Sequence, residues 1–180
     1  MVYVHFAEGF EEIEAVTIVN VLRRAEIETV SVSITGDKAV RGSRGITVSA
    51  DILFEDADYS ECEMIVLPGG MPGTKNLSEH AGLISEIKSF AESKKYLAAI
   101  CAAPMVFGKL GLLKGKRATI YPGMEENLTG AKSTGGKIVI DENIITSKGP
   151  GTAMDFGLAL VSLLKSKEEE AKIRKRLIMD

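Results

Sequence analysis

Short apolar runs alternate with amphipathic stretches along this chain, and glycine or proline marks most of the junctions. Residues 2 to 7 (VYVHFA) form an apolar run that ends at Glu8-Gly9 and predicts a strand. Residues 11 to 25 then carry Ile13, Val16, Ile18, Val19 and Leu22 at helical spacing. The β-branched, alternating TVSVSIT at 29 to 35 predicts a second strand that stops at Gly36-Asp37, and residues 46 to 50 predict a further short one. MIVL at 64 to 67 reads as a strand stopped by Pro68-Gly69-Gly70, followed by one long helix from about Asn76 to Ser93. YLAAI at 96 to 100 is a buried strand running straight into Cys101 and a helix-like AAPMVFGKL. Pro104 suits the first turn of that helix, where its missing N–H has no partner to lose.

Beyond Gly115 the pattern predicts a strand at 117 to 121 and a hairpin of KIVI and IITS around Asp141-Glu142-Asn143. A helix follows Gly149-Pro150-Gly151, with Thr152 as its N-cap. The closing KEEEAKIRKRLIMD places Glu168 and Lys172, and Glu170 and Arg174, at favourable i, i+4 spacing and reads as a solvated helix. Strands alternating with helices imply an α/β fold with a mostly parallel sheet covered on both faces.

A length of 180 residues predicts one domain spanning 1–180. Such a chain buries about 70% of its unfolded surface and needs neither disulfides nor a structural metal. Lys plus Arg number 22 against 25 Asp plus Glu, a net charge of −3, which offers no broad positive field for a phosphate backbone. Nucleic acid is therefore not an expected partner. The N-terminal residues lack a basic region followed by an apolar one, and no stretch reaches about 18 uninterrupted apolar residues, so the expectation is a cytoplasmic protein with no membrane association. No cluster has metal-ligand spacing. The two histidines are His5, expected in the core, and His80, expected on a solvated helix face.

Ligands bind open α/β sheets at the carboxyl ends of strands. Three segments leave such ends: Glu8 to Glu14, Pro68 to Gly73, and Cys101 to Pro104. Cys101 lies between Ala98-Ala99 and Ala102-Ala103 at an abrupt strand-to-helix junction, as a nucleophile elbow requires. The start of the following helix favours the thiolate and is expected to lower its pKa. The alternative is an inert buried cysteine. No histidine sits beside it, so a carboxylate must serve as its proton partner. Among Glu11, Glu12 and Glu14, only Glu14 has a helical direction that lets it point towards the strand ends. An ionised Glu14 repels a thiolate, whereas a protonated one donates a hydrogen bond to it. The functional reading needs a buried Glu14 that keeps its proton; the plain alternative is an exposed helix glutamate. Gly69 and Gly70 let backbone N–H groups turn towards a ligand and form an oxyanion hole with the N–H of Ala102, or else make an ordinary turn. Cys62 precedes its strand, about 15 Å from Cys101 along the sheet, too far for a disulfide.

Taken in order, Gly9-Phe10-Glu11-Glu12-Ile13-Glu14, Leu67-Pro68-Gly69-Gly70, Asn76-Leu77-Ser78, Ala98-Ala99-Ile100-Cys101-Ala102-Ala103-Pro104 and Ser147-Lys148-Gly149-Pro150-Gly151-Thr152 resemble the ThiJ/PfpI superfamily. The resemblance is nearest to its branch containing the parkinsonism-associated protein deglycase and runs from about residue 2 to residue 165. It implies a flavodoxin-like sandwich of the class I glutamine amidotransferase type, usually a homodimer. It also implies a nucleophilic Cys101, a protonated Glu14, backbone donors at Gly70 and Ala102, and Arg44 and Arg24 near the pocket or dimer interface. The sequence departs from the family in three places. Ala102 stands where the peptidase-like branch has histidine, which disfavours a cysteine peptidase; Tyr121 stands where close relatives often have histidine; Ala103 replaces a frequent glycine.

The activity implied is that of a glyoxalase or protein deglycase without a cofactor, acting on methylglyoxal, glyoxal or their early protein adducts through a Cys101 hemithioacetal, with Glu14 shuttling the proton. A different class of function uses the same thiol as an oxidative-stress sensor or the switch of a redox-regulated chaperone. A role in thiazole metabolism, suggested by the family's historical name, lacks any phosphate-binding motif.

Overall fold

A computed structural model describes residues 1–179. In chain order the elements are β1 (Val2–Phe6), α1 (Glu12–Arg24), β2 (Thr29–Ser33), β3 (Ala39–Arg41), β4 (Thr47–Ser49), β5 (Ile52–Leu53) and β6 (Met64–Leu67). There follow α2 (Gly73–Glu79), α3 (Ala81–Glu92), β7 (Tyr96–Ile100), α4 (Pro104–Lys109), β8 (Arg117–Ala118), β9 (Lys132–Ser133), β10 (Ile138–Asp141), β11 (Ile144–Ser147), α5 (Ala153–Leu164) and α6 (Lys167–Arg176). Seven strands form the main sheet in the order β10-β11-β7-β6-β1-β2-β5. All neighbours run parallel except β10, which returns antiparallel to β11 as the hairpin pattern predicted.

Because successive strand side chains point to opposite faces, one strand feeds two cores. Val4, Phe6, Met64, Val66, Ala98 and Ile100 pack on the face covered by α1 and α5. Tyr3, Ile65, Leu67, Leu97 and Ala99 pack on the other, against Leu83, Ile87 and Phe90 of α3 and Val106 and Phe107 of α4. The continuous apolar runs MIVL and LAAI are thus the signature of strands buried on both faces. This is the flavodoxin-like α/β architecture, and His5 lies fully buried in it with Nε2 2.7 Å from the Tyr59 hydroxyl. Burial pushes His5 down to about 3, so it is neutral near pH 7.

Several expectations are corrected. The long helix from 76 to 93 is two helices, because His80 takes an extended ψ of 102° and its Nδ1 accepts the Leu83 N–H at 3.1 Å; it caps α3 rather than decorating a helix face. The strand at 117 to 121 ends at Ala118 and pairs with β9 outside the main sheet. Past it, Thr119 N–H donates to Thr146 Oγ1 and Tyr121 N–H to the Cys101 carbonyl, which draws the backbone out of any ladder. β4 pairs with β3 in a separate hairpin. Thr152 does precede α5, but its hydroxyl turns back to the Gly149 carbonyl and Ser147 Oγ instead of capping the helix. Lys172 pairs with Glu169 rather than Glu168, while Arg174 bridges Glu170 and Asp155.

The last helix is also less solvated than its charge pattern implies. Ile173 is fully buried on the α1/α5 side of the sheet and anchors α6 to α5. Ile173→Ala is expected to cost about 2–4 kcal/mol in urea unfolding, where a solvated position costs under about 0.5 kcal/mol.

Candidate active site

The segments leaving β1, β6 and β7 meet at the carboxyl edge of the sheet. They are tied together by backbone bonds: Glu11 N–H donates to the Gly69 carbonyl at 2.9 Å and Gly73 N–H to the Gly9 carbonyl at 3.2 Å. Cys101 starts the turn after β7 with φ at 62°, a left-handed conformation that costs a non-glycine residue about 1–3 kcal/mol. Its N–H donates to the Ser147 carbonyl at 3.0 Å, and its carbonyl accepts from Tyr121 N–H at 2.9 Å. Neighbouring strands and loops thus impose the elbow that the flanking alanines allow. The residue is 8% exposed and opens onto a cavity of about 410 Å³ walled by Glu11, Arg44, Gly70, Ala102, Tyr121 and Pro150.

Glu14, in the first turn of α1, is fully buried, and its Oε2 accepts the Gly69 N–H at 2.7 Å. Gly69 has to be glycine for packing reasons: a Cβ there would lie 2.6 Å from Cys101 Cβ and 2.9 Å from Glu14 Oε2. The same backbone that holds the carboxyl therefore lies against the cysteine. Gly70 adopts φ of 89°, open to glycine, which turns its amide towards the sulfur. The Ala102 amide also reaches the sulfur, and among the described residues neither amide has a backbone acceptor.

The expectation of a thiol lowered by the helix start is reversed. Burial, and then the negative charge of Glu14 beside it, push Cys101 up to about 12, against which the two amides give partial relief. α4 begins only at Pro104 and is six residues long, so its start offsets little of the cost of burial. Burial also raises Glu14, to about 7, with the Gly69 amide and a hydrogen bond to Cys101 acting in the opposite direction. The two groups form one titrating unit. Between its outer protonation states it holds a single proton, either as thiol donating to carboxylate or as carboxylic acid donating to thiolate. Glu14 Oε1 is sealed from solvent with no hydrogen-bond partner, a costly setting for an anionic oxygen.

The structure brings Cys101, Glu14, Gly69, Gly70, Ala102, Tyr121 and Arg44 together, but Gly69 spends its amide on Glu14 rather than on the cavity. Arg24 is not among them. It bonds Asn20 at 2.7 Å at the far end of α1 and lines a different cavity with Arg23 and Asp51. Two carboxylates escaped the sequence reading. Glu12 accepts from the N–H groups of Arg44 at 2.8 Å and Ile46 at 3.3 Å and pins the loop between β3 and β4 over the site. Glu11 caps α1, its Oε2 accepting the Glu14 N–H at 2.9 Å. Glutamate is not among the residues favoured as N-caps, so no local signal marked this role. Cys62 is a buried free thiol bonded to the Met64 carbonyl, unpaired with Cys101.

A family model described as the DJ-1/PfpI family matches residues 1–163. The chain belongs to the DJ-1/PfpI family. It is 38% identical over 179 residues to Protein DJ-1 homolog B of Arabidopsis thaliana, covering 99% of this chain and 41% of that protein. The chain thus spans less than half the length of that relative. It is 30% identical over 174 residues to glutathione-independent glyoxalase DJR-1.2 of Caenorhabditis elegans, covering 96% of this chain and 92% of that one. Its fold superposes on the solved structure of oxidized DJ-1 from Toxoplasma gondii with a TM-score of 0.93, at 37% identity, covering 98% and 97% of the two chains. No helix among the described residues of this DJ-1/PfpI member is long and apolar enough to cross a membrane.

The raised pKa of Glu14 links this site to stability. Its folded form binds a proton that the unfolded chain releases between about pH 4.5 and 7, so its contribution is full below that window and is lost as pH rises through it. His5 acts in the opposite sense, its contribution being full above about pH 6.5 and lost as pH falls towards 3. Glu14→Gln removes the first effect alone. Relative to wild type, the variant is expected to gain about 3 kcal/mol between pH 4.5 and 7 in denaturant unfolding. A constant difference across that range would show that Glu14 titrates normally.

Proposed function

We propose that this protein is a cysteine-dependent glyoxalase or deglycase that needs no cofactor and acts on methylglyoxal, glyoxal or their early adducts on proteins. The observation that carries this reading is a cavity-facing thiol beside a fully buried carboxyl, one oxygen of which has no hydrogen-bond partner. The name of the Caenorhabditis elegans relative supports the same chemistry, since a glyoxalase independent of glutathione needs a sulfur of its own.

With the shared proton on Glu14, the Cys101 thiolate adds to the aldehyde carbon. The carbonyl π electrons move to oxygen, where the N–H groups of Gly70 and Ala102 meet them. Glu14 protonates that oxygen to complete the hemithioacetal and becomes a carboxylate. It then removes the proton on the sulfur-bearing carbon and returns it to the neighbouring carbon, while the hydroxyl proton passes to the neighbouring oxygen, turning an α-oxo hemithioacetal into an α-hydroxy thioester. Water cleaves the thioester, the thiolate leaves, and the proton of the new acid returns to Glu14. The net reaction adds one water and needs no external oxidant or reductant.

A second reading, supported by the oxidized state of the Toxoplasma gondii structure, makes Cys101 a peroxide-responsive thiol. Turnover separates the two. Cys101→Ser is expected to abolish conversion of methylglyoxal, and Glu14→Gln to lower kcat by about 10²–10⁴-fold while leaving Cys101 open to iodoacetamide. Wild-type protein that turns over no α-oxoaldehyde yet oxidises selectively at Cys101 would favour the sensor.

A homodimer is part of the same proposal. Ile13, Val16 and Ile46 are exposed apolar side chains on the outer face of α1 and the neighbouring hairpin loop. Such a patch fits a self-complementary interface. Ile13→Asp with Val16→Asp is expected to halve the mass seen by light scattering, and an unchanged mass would rule this face out.

A further inference from the structure

The segment from Ser147 to Thr152 has no part in the reaction as set out above, yet it runs beside the sulfur. β7 and β11 end side by side, and the Ser147 carbonyl accepts the Cys101 N–H at 3.0 Å. Gly149 is held firmly from its own side. Its N–H donates to Thr152 Oγ1 at 3.2 Å, its carbonyl accepts the Thr152 N–H at 2.8 Å, and the buried Ser147 hydroxyl donates to the Lys137 carbonyl at 2.8 Å.

Gly149 is nearly fully extended, with φ of 163°, so its backbone does not itself call for glycine. The space does. A Cβ at this position would stand 4.0 Å from Cys101 Sγ and 3.3 Å from Tyr121 Cδ2, so the sulfur and the phenol ring border one gap that the glycine leaves open. The ring is held at its root, because Tyr121 N–H donates to the Cys101 carbonyl at 2.9 Å and the Tyr121 carbonyl accepts the Met124 N–H at 3.1 Å. Tyr121 and Pro150 also line a second cavity of about 210 Å³, walled further by Pro122, Lys148 and Thr152. They form the partition between it and the cavity of Cys101.

Building on the proposed attack by Cys101, we propose that Gly149 and Tyr121 are the specificity-determining pair of this site. The missing side chain leaves room beside the sulfur for the substituent of an α-oxoaldehyde, and the ring caps that room and keeps the substituent out of the second cavity. Glyoxal and methylglyoxal, which carry only a hydrogen or a methyl group, suit a gap of this size; an aromatic substituent meets the ring. Both walls hang from strand ends and hydrogen-bonded turns, so they yield little to a larger group. One methyl group added to such a gap changes discrimination by about 10-fold or more.

The test is a ratio of two rates at Cys101, alkylation by N-phenyliodoacetamide over alkylation by iodoacetamide, measured on the folded protein and read by mass spectrometry of the Cys101 peptide so that Cys62 is counted separately. The two reagents share a reacting group and differ in bulk, so a change in thiol ionisation cancels in the ratio. Gly149→Ala fills the gap and is expected to lower the ratio about 10-fold. Tyr121→Ala removes the cap, joins the two cavities and is expected to raise the ratio by about as much, whereas Tyr121→Phe keeps the ring and is expected to leave it near that of wild type. Tyr121 is half exposed, so its alanine variant is expected to fold even if Gly149→Ala does not. An unmoved ratio in Tyr121→Ala, or a shift of equal size in Tyr121→Phe, would overturn the proposal. Turnover of phenylglyoxal relative to methylglyoxal is expected to move in the same directions. Absent wild-type turnover of either aldehyde, with the alkylation ratios shifted as expected, overturns the glyoxalase reading and supports the role of Gly149 and Tyr121.

Discussion

A single backbone amide, the N–H of Gly69, determines how the rest of the site is arranged. It donates to Glu14 Oε2 at 2.7 Å, and the residue that carries it presses against Cys101 with no room for a side chain. This contact fixes the distance between a buried carboxyl and a buried thiol, and with it the electrostatics of both. Neither group is well solvated, so each is held away from its charged form; Glu14 makes ionisation of the thiol harder, whereas the hydrogen bond from the thiol eases ionisation of Glu14. The pair resolves this conflict by sharing a proton. On the proposed reading, the chemistry of the cavity follows from which partner holds it.

The scaffold makes that contact possible because it is rigid where the three loops begin. β1, β6 and β7 are adjacent parallel strands buried on both faces, so their carboxyl ends lie side by side and cannot slide without moving both cores. Strain at Cys101 is held by bonds from β11 and from the segment at Tyr121. The helix that delivers Glu14 is clamped against α5, and its first turn is tied to the Gly69 loop through Glu11. Precision at the sulfur therefore comes from the sheet and its loops rather than from local residues alone.

Membership of the DJ-1/PfpI family fits this arrangement; of the three departures, Ala102 and Tyr121 fall on the cavity wall, while Ala103 is buried in the core. Tyr121 is half exposed and stands beside Gly149, placing a phenol where an imidazole would offer a titrating group near neutral pH. Ala102 contributes its amide, not a side chain, to the sulfur. The three carboxylates at the start of α1 differ in their contacts: Glu14 beside the sulfur, Glu11 capping the helix from the cavity wall, and Glu12 securing the loop that carries Arg44.

Much of this was legible in the sequence. The runs VYVHF, MIVL and LAAI announced doubly buried parallel strands, Pro104 marked the start of α4, and small residues around Cys101 announced an elbow. Those signals are local: apolar periodicity and backbone sterics act over a few residues and survive almost any tertiary setting. What stayed hidden depended on distant partners. A histidine ring accepting an amide divided one helix into two at His80, bonds to Thr146 and Cys101 pulled residues 119 and 121 out of a strand, and burial of Ile173 turned a charged tail into a docked helix. The reversed pKa of Cys101 has the same origin. Sequence alone determined that a cysteine stands at a strand-to-helix turn with a glutamate on the first helix. Only the folded chain decided that they are desolvated together, because the cost of burying a charge depends on every group that surrounds it in space and on none of their positions along the chain.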